Sequence, residues 1–175
     1  MSERPFHSRK PRFQRPQGKR QGRRDPNAWR PPHEIDTTIL YGWHPVVEAL
    51  RNDKRTIRRL LVTENSLRRL QEELGAPLPL EPEMVRPDEI NRLLEPDAVH
   101  QGIYAEADPL PSPSVDTLSG KRVVLALDQI TDPHNVGAIV RTAAAFDVEA
   151  IITTARHSPA ATGVLAKSAS GGLEH

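Results

Sequence analysis

The run KRVVLALDQI, residues 121–130, passes directly into TDPHNVGAIVRTAAAF, residues 131–146, and that junction leaves few ways to fold. An unbroken apolar run of this kind suits a parallel strand covered on both faces. Asp132-Pro133 favours a turn, because proline lacks an amide hydrogen and restricts the residue before it. Asn135 is a good helix cap, and the spacing that follows predicts a helix over Val136–Phe146. VEAIITT then supplies a second strand. Strand, loop, helix and strand make a right-handed crossover unit of an α/β sheet. Its loop lies at the carboxyl end of the first strand, where such sheets place ligands.

Arg141 stands out on this otherwise small, apolar helix. Val136, Ile139, Val140 and Ala143 are spaced to face the sheet, which puts Gly137, Arg141, Ala144 and Ala145 on another side. That second side is nearly bare, leaving room for a substrate or a partner chain, and a planar guanidinium suits phosphate or carboxylate. Asn135 sits at the end where helix N–H groups favour anions. An ordinary helix arginine paired with Glu149 fits the pattern equally well. There is no G-x-G-x-x-G or phosphate-binding loop. Asp128 and Asp132 flank a turn and suit turn and cap roles better than a magnesium ion. His44, His100 and His134 lack metal-ligand spacing and fit ordinary polar roles, so no metal site is expected.

Upstream, TTILYGWHPVVEALRND carries Val46, Val47, Ala49 and Leu50 on one helix face, with Pro45 suited to the first turn. TIRRLLVT has the character of a buried strand. NSLRRLQEELG reads as a helix capped by Asn65 or Ser66 and closed by Gly75. PDEINRLLEP is a short helix, QGIYAEA alternates like a strand, and DPLPSPSVDTLSG is a linker. These readings give a basic tail over residues 1–36, an α/β domain over 37–107, a linker over 108–120 and a second α/β unit over 121–175. With 175 residues and only 4% aromatics, one or two small domains fit and a large enzyme core does not.

Charge is distributed unevenly. Up to His33, ten basic side chains face only Glu3 and Asp25, a net +8, whereas the remaining fourteen basic and twenty-one acidic residues leave −7. A proline-rich segment so charged cannot bury enough surface to offset its chain entropy and is expected to be disordered. Arg9, Lys10, Arg12, Arg15, Lys19, Arg20, Arg23 and Arg24 are candidate phosphate contacts for RNA, interleaved with Phe6, Phe13 and Trp29 for base stacking. Arg58 and Arg59, with Arg55, Arg68 and Arg69, offer a second candidate patch, although charged helix and strand faces are usually just solvated. Absence of cysteine excludes disulfides and thiolate chemistry. No apolar run approaches a membrane span and no secretory leader is evident, so the cytoplasm is the default location.

LDQITDPHNVGAIVRTAAAFDVEAII resembles the first signature of the SpoU/TrmH-type RNA 2′-O-methyltransferases, in which a strand leads into D-P-x-N-x-G-x-I-x-R-T-A. YGWHPVVEAL, IRRLLVT and HQGIYAEA are similar to that family's N-terminal substrate-binding domain. The layout resembles most the members that methylate a guanosine ribose in bacterial large-subunit ribosomal RNA. One position departs, since Asp147 stands where the family has glycine after the helix. The resemblance implies a small α/β RNA-binding domain followed by the N-terminal part of an α/β-knot (SPOUT) methyltransferase domain. It implies S-adenosylmethionine as methyl donor, RNA as partner and a homodimer for full-length members. It makes Arg141 the group that helps activate the ribose 2′-hydroxyl, with Asn135 positioning Arg141 or the RNA.

Family members continue into two further signatures that build the knot, the cofactor pocket and most of the dimer interface. Neither occurs in these 175 residues, so the cofactor-binding residues are expected outside them and this chain alone is expected to be inactive, with residues 121–175 loose. Leu173-Glu174-His175 has the look of a cloning remnant. The alternatives are a non-catalytic RNA-binding protein built from the same parts, or a magnesium-assisted phosphate-handling enzyme using Asp128 and Asp132.

Overall fold

Short β-branched and leucine-rich segments build the first sheet. The computed structural model describes residues 37–75, 77–154 and 158–175. Strand β1 (Thr38–Tyr41) leads through Gly42 into helix α1 (Trp43–Arg51), then β2 (Ile57–Val62), α2 (Glu64–Leu74), β3 (Glu83–Met84), α3 (Pro87–Asn91) and β4 (Ile103–Ala107). The sheet order is β1-β4-β2-β3, with β2 and β3 parallel and the other pairs antiparallel. Leu60, Leu61 and Val62 are consecutive and all buried, because the sheet is covered on both faces. One core gathers Leu40, Val46, Leu60, Val62, Leu70 and Ile103, and the other gathers Tyr41, Leu61, Ile90 and Tyr104.

Local signals place most of these elements, and the differences have physical causes. Gly75 ends α2 at φ 81°, a left-handed conformation that costs a residue without Cβ little. Thr63, rather than Asn65 or Ser66, is the cap residue, because the Ser66 hydroxyl is drawn off to the Gln101 carbonyl at 3.0 Å. β1 was not expected: four residues are too few to show a period, and its pairing partner, β4, lies over sixty residues away.

The second unit is β5 (Val124–Leu127), α4 (Pro133–Ala145) and β6 (Ala150–Thr153), with β5 and β6 parallel in the register Val124↔Ala150 to Leu127↔Thr153. The cap of α4 is Asp132, whose carboxylate accepts the His134 N–H at 3.0 Å, so the helix starts at Pro133 and Asn135 lies inside its first turn. This corrects the expected start at Val136: aspartate followed by proline fixes the first turn three residues earlier. Asp147 occupies the glycine-like position after the helix at φ 52°, and its carboxylate takes Arg122 at 2.6 Å. Aspartate is among the few side chains that tolerate this conformation. The sheet remains open, with Val123 62% and Phe146 78% exposed.

The last residues tie the two sheets together. Helix α5 (Gly163–Ala169) runs along α4, yet its Ala166 belongs to the core of the first sheet. The Thr162 hydroxyl accepts the Ile39 N–H at 2.6 Å, and Lys167 Nζ donates to Gln101 Oε1 at 3.0 Å. Glu174, in a 3-10 turn over Gly172–Glu174, receives Arg55 Nη2 at 2.6 Å and Arg55 Nε at 3.1 Å. Both side chains of that pair are 3% exposed. Leu173 and Glu174 are therefore part of the packed fold.

His100 reports on this packing through pH. Its Nδ1 accepts the Gly102 N–H at 3.0 Å while Nε2 lies 3.0 Å from Asn91 Oδ1, a pattern that fits the neutral ring. Burial first, and the nearby Lys167 charge second, hold its pKa below the ordinary 6.5. As pH falls through 6.5 the unfolded chain takes up this proton before the folded one does, so the contribution is complete above 6.5 and is lost below it. Urea midpoints are expected to drop more between about pH 7.5 and about pH 5.5 in the natural chain than in His100→Asn. Equal drops would show that His100 is not held neutral by the fold.

Candidate functional site

The small face of α4 divides into two parts. At its N-terminal half α5 lies against Gly137, where a Cβ would stand 2.5 Å from Ser168 Cβ and 2.6 Å from the Leu165 carbonyl oxygen. This half is filled by the chain itself, so it offers no room to a substrate. The other half, with Arg141, Ala144 and Ala145, borders a cavity of about 380 Å³. Gly172 closes one side, so near that a Cβ would meet Arg141 Cα at 3.2 Å. The left-handed turn at Ser170 and Gly171 forms the floor, and α1 supplies the opposite wall through His44 and Glu48.

Arg141 is exposed, and among the described residues its guanidinium makes no hydrogen bond or ion pair. Glu149, the acid proposed by spacing, instead receives the Ser119 N–H, which together with the Ser119 hydroxyl holds its carboxyl below the usual range. Among the described residues Arg141 is therefore not paired with Glu149. Asn135 is exposed in the first turn of α4 and does not line the cavity. Six residues of helix separate it from Arg141, about 9 Å along the axis and on a different face, so the structure does not bring these two together.

Other candidates are accounted for more simply. Arg58 pairs with Asp108, and Arg59 with Glu83 at 2.8 and 2.9 Å, so both charges are balanced locally. Arg55 is buried against Glu174, Arg68 lies 3.7 Å from Glu64, and Arg69 sits 3.7 Å above the Trp43 ring. Arg9, Lys10, Arg12, Arg15, Lys19, Arg20, Arg23 and Arg24 lie outside the described residues. Asp132 is used as the α4 cap, and His134 Nδ1 is 3.2 Å from the Ser168 hydroxyl. Among the described residues no group of three or more metal-ligating side chains is arranged to hold an ion, and no helix is long and apolar enough to cross a membrane.

A second cavity, of about 420 Å³, lies over the open sheet and is lined by Leu125, Ile139, Phe146 and Val148 with Thr142 as the polar member. His44 and Glu48 are the site residues that sequence reasoning missed. A histidine four residues before a glutamate on a helix looks like a solvated face. The available hint was the glycine pair at 171–172 beside an alanine-rich helix, a combination that permits close approach of backbones.

Two known families match parts of this chain. Residues 39–113 match the family described as RNA 2′-O ribose methyltransferase substrate binding, and residues 122–175 match the SpoU rRNA Methylase family. The latter match includes Leu173-Glu174-His175. The 23S rRNA (guanosine-2′-O-)-methyltransferase RlmB of Ralstonia nicotianae is 34% identical over 143 residues, covering 78% of this chain and 57% of the relative. The human mitochondrial rRNA methyltransferase 1 is 32% identical, over 78% of this chain and 42% of the relative. This chain thus spans about half the length of such relatives. Among solved structures, the AdoMet-bound rRNA methyltransferase of Sinorhizobium meliloti superposes with a TM-score of 0.63 at 20% identity, over 81% of this chain and 53% of that one. The SpoU methyltransferase AviRb of Streptomyces viridochromogenes, in complex with AdoMet, gives 0.60 at 22%, over 78% and 52%. These likenesses establish the mixed α/β fold.

The packing of α4 on α5 makes a direct prediction. Gly137→Ala gains up to about 1 kcal/mol of helix propensity. It also drives a methyl group into the Leu165 carbonyl, a backbone atom that cannot swing aside. A net loss of about 1–2 kcal/mol is expected in chemical denaturation. A stability equal to or above that of the natural chain would show that the two helices are not in contact at Gly137.

Proposed function

The chain belongs to the SpoU family of RNA methyltransferases, and from that premise we propose that the whole protein transfers a methyl group to a ribose 2′-hydroxyl of large-subunit ribosomal RNA. Arg141 carries this reading. It presents a guanidinium without a partner among the described residues, in a cavity bordered by both halves of the chain. A ribose 2′-hydroxyl is a poor nucleophile, so the site must favour negative charge on that oxygen as it attacks. A fixed guanidinium beside the oxygen and its neighbouring phosphate lowers the cost of that charge without reorganising solvent. A group that stays protonated suits this electrostatic role better than removal of the proton. Asn135 in the first turn of α4 is proposed as an RNA contact, separate from Arg141. The basic residues before His33, with Arg58 and Arg59, are proposed as phosphate contacts.

S-adenosylmethionine is proposed as the methyl donor, as two of the similar solved structures hold AdoMet. The described residues do not fit it. The groove over the open sheet offers an adenosine and an amino-acid carboxylate a single hydroxyl, Thr142, and the cation of Arg141 in the other cavity would repel a sulfonium. The 175-residue chain by itself is therefore proposed to transfer no methyl group. A homodimer and a cytoplasmic location are proposed for the whole protein, and the division at about residues 108–120 is proposed as the domain boundary.

The test is Arg141→Lys in the whole protein, which keeps the charge and removes the planar fork. Methyl transfer to a ribosomal RNA fragment is expected to fall by about 10²-fold or more, with the melting temperature nearly unchanged. Transfer within twofold or so of the natural rate would reduce Arg141 to a helix-surface residue.

A further inference from the structure

Three stretches far apart in sequence meet around the Arg141 cavity, and one of them belongs to the first domain. His44 and Glu48 stand one helical turn apart on α1, while Pro45, Val46, Val47, Ala49 and Leu50 of the same helix are buried. His44 is thus an exposed ring on a helix most of whose side chains are packed away, and among the described residues its side chain makes no hydrogen bond. Glu48 is partly committed, with Oε1 at 2.7 Å from Arg51 Nη1 and Oε2 at 3.7 Å from His175 Nε2. The rest of the lining is Ala144, Ala145 and Ala169, the backbone turn at Ser170, Gly171 and Gly172, and His175. The cavity therefore has a cation at Arg141, the His44 ring beside the Glu48 carboxylate on α1, and small residues over most of the remaining surface.

Those dimensions select a ligand class. About 380 Å³ lies at the small end of organic-ligand sites and accommodates one nucleotide rather than a helix. A guanidinium fork takes a phosphate, and an unpaired imidazole face takes a nucleobase by stacking. We propose that this cavity binds a single nucleotide, its phosphate on Arg141 and its base against His44, so that the first domain forms part of the reaction site. His44 is then a positioning residue for the target nucleotide. The inference rests on the reading of Arg141 given above, yet it needs neither a methyl donor nor turnover, because occupancy alone is at issue.

The experiment uses the isotope-labelled 175-residue chain titrated with guanosine 5′-monophosphate and, separately, with inorganic phosphate, followed by nuclear magnetic resonance. Saturable shifts are expected for the His44 ring and for the amides of Ala144, Ala145 and Gly171. His44→Ala should weaken guanosine 5′-monophosphate by about fivefold to tenfold and leave inorganic phosphate unchanged, since only the stacked base is lost. Arg141→Gln should abolish both. His44→Gln, which keeps a polar side chain of similar reach on this exposed position, should behave as His44→Ala. Nucleotide binding as tight in both His44 variants as in the natural chain would overturn the inference. So would shifts confined to Leu125, Ile139 and Phe146, or no saturation up to about 10 mM. The two readings fail separately. Absent methyl transfer in the whole protein sinks the proposed function and leaves these shifts in place, whereas a silent His44 sinks this inference alone.

Discussion

Arg55 and Glu174 are separated by 119 residues, and the rest of the arrangement depends on their meeting. Each side chain is 3% exposed, so two charges have left water. Removing ions from water costs several kcal/mol each, and their attraction offsets this only where every polar atom is satisfied. Here that condition holds. Glu174 takes two bonds from Arg55 and one from Asn52 at 2.8 Å, and the remaining Arg55 arm donates to the Asp108 carbonyl at 2.8 Å. The pair supplies direction more than net stability: it specifies where the terminal turn sits against the first sheet, beside Asp108.

The position of that turn creates the site. With Glu174 anchored, Gly172 is drawn against α4 at Arg141, Gly171 lies beside Glu48, and α5 fills the face of α4 at Gly137. Arg141 and the His44–Glu48 turn of α1 are left lining one cavity. Small residues on α4 thus serve two ends: Gly137 allows helix contact, and Ala144 and Ala145 keep the cavity open. The strands β5 and β6 contribute differently. They aim α4 but leave an apolar face uncovered, and that face offers little that would hold a polar ligand.

Much of this was legible in the sequence. β2, β5, α2 and α4 declare themselves through apolar runs, period and caps, and Arg141 drew attention because a charge on a small, apolar helix needs a reason. Local pattern failed where distance in the chain mattered. β1 is defined by pairing with β4, and α5 by burying Ala166 in a core sixty and more residues upstream. Asn135 has the side chain of a cap, but Asp132, which suits turn and cap alike, takes that place because Pro133 begins the helix. His44 was invisible as a site residue, since nothing near it in sequence says that Arg141 lies opposite.

The docking of the terminal turn on the first domain is the claim on which the site rests, and a double-mutant cycle tests it most directly. Arg55→Ala and Glu174→Ala are each expected to cost about 3–5 kcal/mol in urea unfolding of the 175-residue chain, because each strands a buried partner. The double variant should cost far less than the sum, with a coupling energy of at least about 2 kcal/mol. Additive losses, or single variants as stable as the natural chain, would mean that the two residues do not meet in solution and that Arg141 does not face His44.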